Sequence, residues 1–125
     1  MQSTKNKQSA IDFLELVIAG QIDEAYEKHV DMSGKHHNTF TSPGFQALRE
    51  GMKEAHVKFP NKRFIIQHIV GEGELVAVHS HLILEENKTD LAVLHLFRFK
   101  DERIAELWDL SQALSSDSPN KDGAF

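Results

Sequence analysis

The chain has 125 residues, 40% of them hydrophobic and 26% charged, with a formal net charge of −5. This is the composition of one globular domain with a sizeable core, and an acidic balance without a basic stripe argues against a nucleic-acid partner. No cysteine is present, which excludes disulfides, thiolate metal sites and thiol nucleophiles and leaves any chemistry to His, Asp or Glu.

The start, Met1 to Gln8, is polar and lacks the apolar stretch of a secretory signal, and residues 1–6 read as a loose tail. Ile11, Leu14, Val17 and Ile18 then recur at spacings of three and four, which predicts an amphipathic helix from Lys7 to Ala19, ended by Gly20. A second helix is expected from Ile22 to His29 with Ile22, Ala25 and Tyr26 inward, and Asp23 and Glu24 suit the positive end of its dipole. Asp31 to Ser42 reads as polar loop. Ser42 followed by Pro43 predicts an N-cap and first helical position, opening a third helix with Phe45, Leu48, Met52 and Ala55 buried and Pro60 as its stop.

Beyond Pro60 the hydrophobic period changes to two. Arg63–Val70, Leu75–Leu84, Leu91–Phe99 and Ile104–Gln112 read as strands, joined by hairpin-length connections at 71–74, 85–90 and 100–103. Helices followed by antiparallel strands predict a single α+β domain, three N-terminal helices on a mainly antiparallel sheet, with 115–125 as a second loose tail. No apolar run approaches a membrane span, so no membrane partner is expected and the cytoplasm is the expected compartment.

Side chains alternate along a strand, so His95 shares a face with Val93 and Phe97, and Asp109 shares one with Ala105 and Leu107. A carboxylate among apolar neighbours needs a partner, and an imidazole on the next strand is both a partner and an acid or base. The opposite face is apolar as well, with Leu94, Leu96, Ile104, Trp108 and Leu110. A homodimer formed through the sheet is the expected cover, with Trp108 as an anchor.

The order of elements resembles the nuclear transport factor 2-like fold. His37-Asn38 with Gly44 following, Gly73 to His79, Leu96-Phe97-Arg98-Phe99, and Ile104 to Asp109 followed by Gln112 resemble the SnoaL-like polyketide cyclase family, from about Lys7 to Gln112. The resemblance implies a cone-shaped domain whose curved sheet wraps a pocket closed by the helices, with no cofactor. It implies that Asp109 is the general acid and base of an intramolecular aldol ring closure and that His95 places or polarises the substrate, with His37 as the histidine of the family's His-Asn element. Thr39 stands where many relatives have proline, and Leu107 where many have histidine before Trp-Asp.

Aldol closure needs a proton taken from carbon beside a carbonyl and one delivered to the acceptor oxygen, and one poorly solvated carboxylate can do both in turn. The expected activity is therefore that of a cofactor-independent lyase or isomerase on a small cyclic or polyketide-like carbonyl compound. Asp109 and His95 are the catalytic candidates, and His37, His79, His81, Phe97, Leu107 and Tyr26 the substrate-binding ones. One of His79 and His81, two apart on one strand, is expected in the pocket and the other at its rim or the dimer contact. Three converging imidazoles would suit a metal, but no carboxylate has the spacing to complete the set and no metal is assigned. The alternatives are a satisfied His95–Asp109 pair of structural value, a dimeric binder of a small hydrophobic ligand without turnover, and a dimerising scaffold.

Overall fold

A computed structural model describes residues 2–85 and 90–125, Gln2 by its backbone alone. Met1 and most of the expected 85–90 connection lie outside the described residues. The elements run α1 Gln2–Ile18, α2 Ile22–His29, β1 Val30–His36, α3 Phe45–Lys58, β2 Arg63–Glu72, β3 Leu75–Ile83, β4 Asp90–Lys100 and β5 Arg103–Ala113. The sheet order is β1-β5-β4-β3-β2, antiparallel throughout except that β1 runs parallel to β5.

The four long strands fall where the period-two pattern puts them. The β4–β5 hairpin closes on Asp101 and Glu102, both at positive φ (51° and 69°), the backbone signature of a two-residue turn matching the twist of its strands. Three expectations fail. Residues 2–6 are not a loose tail but the first turns of α1, with Asn6 only 1% exposed. The helix α3 begins at Phe45 with Gly44 as N-cap, not at Pro43, and Ala55 on it is exposed.

The third is β1, which apart from Val30 lies inside the segment expected as loop. Its alternation is invisible because only Val30 and His36 are buried. What holds it is the parallel pairing with β5 and a close approach at Gly34, where an added Cβ would stand 2.2 Å from the Ala105 carbonyl oxygen. Only a glycine lets the two backbones come so near.

Bulges correct the face assignments. The register slips between Ile66 and His68 in β2, so inward positions run Phe64, Ile66, Ile69. A slip at Arg98/Phe99 buries Ile104 (0% exposed) beside Ala105, so Ile104 belongs to the core and not to the outer face. Phe13, Tyr26, Phe45, Phe97, Phe99 and Leu107 fill the space between helices and sheet, with Phe13 edge-on to both Tyr26 (5.5 Å) and Phe97 (5.9 Å). The outer face leaves Leu94 and Leu110, register partners, 36% and 62% exposed. The segment 115–125 is mostly exposed, but its terminal Phe125 ring rests against His79 and His81.

Candidate functional site

On the inner face, antiparallel pairing sets side chains in rows across the sheet. One row is Ile69, Val78, His95 and Asp109; the next toward the pocket mouth is Ile66, Ser80, Val93 and Ser111. His95 and Asp109 are thus cross-strand neighbours on one face. Together with Leu82, Leu91, Val93 and residues 37–40 they line a pocket of about 460 Å³.

No hydrogen bond or ion pair joins the two. Asp109 Oδ2 instead accepts from Asn38 Nδ2 at 3.1 Å. The imidazole of His95 packs against Phe64 (5.7 Å) and Phe97 (5.9 Å), and its Nδ1 is buried with no partner. An orphaned buried polar atom costs about 1–3 kcal/mol, and the alternative of a satisfied His95–Asp109 pair is not what the fold builds. Burial lowers the His95 pKa from its ordinary value to about 4, against a weaker upward pull from the Asp109 carboxylate, so the ring is neutral at physiological pH.

The remaining candidates divide. His37 reaches the pocket rim, but its Nε2 is engaged by Glu106 at 2.6 Å and its ring stacks on Trp108 at 5.0 Å. That places its polar edge on the outer side, because β1 turns His36 inward and His37 outward. Glu106 also accepts from Arg98 Nε at 3.1 Å, and these two partners, His37 foremost, hold its carboxyl below the usual range.

His79 and His81 pair in register with Leu94 and Ala92 on the outer face, so neither enters the pocket and they do not converge with His95. His79 Nδ1 meets His68 Nδ1 at 3.0 Å, and His81 Nε2 meets Asp90 Oδ2 at 2.8 Å. Phe97 and Leu107 do share the face of His95 and Asp109, but they lie one row deeper, 0% and 1% exposed, as core. Tyr26 is also core, 0% exposed, its hydroxyl donating to Met52 Sδ at 3.2 Å, and burial pushes its phenol far above the ordinary value.

Asn38 is the contact that residue patterns miss as a site residue, although the His37-Asn38 pair marks its place. It comes from the loop after β1, 71 residues from Asp109 in sequence. The arrangement presents a carboxylate fixed by one amide, a neutral imidazole with no protein partner, and apolar walls. It suits a small molecule carrying oxygen atoms on an apolar frame.

Residues 10–107 match the SnoaL-like domain. No curated protein matches the chain in sequence. Among solved structures, an NTF2-like protein of unknown function from Burkholderia xenovorans LB400 is 15% identical with a TM-score of 0.76, over 95% of this chain and 91% of that one. IdmH from Streptomyces antibioticus, a proposed polyketide cyclase, is 19% identical with a TM-score of 0.71, over 86% and 91%. An LEH-like epoxide hydrolase from M. tuberculosis is 16% identical with a TM-score of 0.72, over 90% and 86%. At such identities the likeness is one of fold, an α+β cone of the nuclear transport factor 2-like kind. The family match covers most of the chain and ends two residues before Asp109, and on it the chain belongs to the SnoaL-like domain family.

Proposed function

We propose that the protein is a cofactor-independent acid–base catalyst of the lyase or isomerase type, acting on a small cyclic or polyketide-like carbonyl compound. The observation that carries this reading is the shared pocket wall of Asp109 and His95, neither of which satisfies the other. In the proposed step a carboxylate oxygen of Asp109 takes the proton from carbon beside the substrate carbonyl. The C–H electron pair moves into the enolate, whose oxygen accepts a hydrogen bond from the neutral imidazole of His95. The enolate carbon then attacks an acceptor carbonyl of the same molecule, and Asp109 returns its proton to the new alkoxide.

A neutral imidazole is the better donor here, since a buried imidazolium would be held tightly by Asp109 and would blunt the base. Asn38 keeps one carboxylate oxygen in place and leaves the other for the proton. A second copy of the chain is the proposed cover for Leu94 and Leu110 on the outer face.

Incubation in D₂O with 2-tetralone, and separately with styrene oxide, tests the reading. Protein-dependent deuterium uptake beside the ketone is expected. Diol formation from the epoxide without deuterium uptake would transfer the site to ring-opening hydrolysis, and binding without either would leave a ligand carrier.

A further inference from the structure

His36 is buried, 7% exposed, at the end of β1, and it is not part of the pocket wall. Its register partner in β5 is Leu107, and the next backbone bond, His37 N–H to the Leu107 carbonyl at 2.8 Å, fixes the strand end. The ring packs against Phe45 at 6.2 Å. Both of its nitrogens are committed to the loop that follows. Nδ1 accepts from the backbone N–H of Asn38 at 3.1 Å, and Nε2 faces the Ser42 carbonyl at 2.8 Å.

A carbonyl oxygen can only accept and an amide N–H can only donate, so this geometry admits one protonation state: neutral, with the proton on Nε2. The ring thereby ties both ends of the 38–42 loop to the end of β1. Inside that loop the Phe40 N–H donates to Asn38 Oδ1 at 2.8 Å. With Oδ1 so engaged, the amide group left to face Asp109 is Nδ2, the atom found 3.1 Å from its carboxylate.

We propose that His36 is a positioning residue for the carboxylate base: it sets the loop that aims the Asn38 amide at Asp109. The inference rests on the acid–base role given to Asp109 above. An untethered loop lets the amide rotate and the carboxylate swing, and small misplacements of a reacting group cost on the order of tenfold to a hundredfold in rate.

The substitutions that test it follow from side-chain shape. Asn places an acceptor where His Nδ1 lies, and Gln places a donor where Nε2 lies, while Phe keeps the packing on Phe45 and removes both. His36→Phe is expected to lower 2-tetralone exchange on the order of tenfold to a hundredfold with little change in its half-saturation concentration, and His36→Asn to restore most of the rate. Two readouts stand apart from turnover. In wild type the ¹⁵N signals of His36 should report protonated Nε2 and bare Nδ1. The Asn38 and Phe40 amides should be protected from hydrogen exchange, lose at least tenfold of that protection in His36→Phe, and regain it at Asn38 in His36→Asn.

Unchanged protection in a folded His36→Phe protein, or a proton on Nδ1 in wild type, overturns the proposal. The second result does so even if every variant unfolds. Loss of loop protection in His36→Phe, together with a wild type that shows no 2-tetralone exchange activity, supports the tether and instead removes the catalytic reading of Asp109.

Discussion

Asp109 and His95 face each other across two antiparallel strands without a hydrogen bond between them, and the carboxylate is bound instead by the amide of Asn38. The imidazole is left with an unpartnered buried nitrogen beside a charge it senses only electrostatically. A fold optimised for stability alone closes such a gap. Strain of this kind collects where a ligand is to be met.

The lowered His95 pKa makes stability depend on pH. In the unfolded chain the ring takes up its proton near its ordinary value of about 6.5, whereas in the fold it does so only near 4. Between those limits the unfolded state binds more protons, so the contribution is complete above 6.5 and is lost as pH falls. Urea unfolding is expected to show stability falling with pH throughout that window, by a few kcal/mol in total. In His95→Phe that part of the slope should vanish; an unaltered slope would assign the effect to other groups.

Phe97 and Leu107 separate a core role from a pocket role. Phe97→Ala is expected to cost about 3–5 kcal/mol and Leu107→Ala about 2–5 kcal/mol, by cavity formation beneath Phe13 and its neighbours. A measured loss under 1 kcal/mol for both, with ligand affinity reduced, would put these side chains in contact with substrate after all.

Gly34→Ala tests the hidden strand. Its Cβ would meet the Ala105 carbonyl oxygen at 2.2 Å, backbone that cannot step aside without opening the β1–β5 ladder. A loss of about 1–3 kcal/mol is expected, with rapid hydrogen exchange at His37, whose N–H bonds Leu107. Full retention of stability would mean that β1 does not lie against β5 as described.

Leu94→Glu combined with Leu110→Glu puts two carboxylates at the centre of the outer face. Sedimentation equilibrium should find a dimer for wild type and a folded monomer for the double variant. A wild type that is monomeric at high micromolar concentration discards the second copy as the cover.

That His95 shares a face with Val93 and Phe97, and Asp109 one with Ala105 and Leu107, was legible from period two alone, because alternate side chains of a strand share a face. Depth was not. Phe97 and Leu107 share the face but stand one row further in, where α1 closes the space with Phe13, and alternation carries no information about which row a helix covers. His79 and His81 show the complementary error, since their face followed from the pattern while the identity of the pocket face did not. The site's third member was obscured by β1, an edge strand with too little burial to show a period. Without that strand nothing directs His37 outward to Glu106 or brings Asn38 across to Asp109. Bulges in β2 and β5 similarly shift faces by one residue, and no local turn or composition signal marks them.

The rate at which 2-tetralone gains deuterium in D₂O, for wild type and for Asp109→Asn compared at equal folded fraction, bears most directly on the role of the carboxylate. The amide is nearly the same size, accepts and donates hydrogen bonds, and cannot take a proton from carbon. A fall of about a hundredfold or more, with thermal unfolding of the variant within a few degrees of wild type, is the expected result. Equal rates in the two proteins would contradict the account, because the protons would then be leaving to some other base.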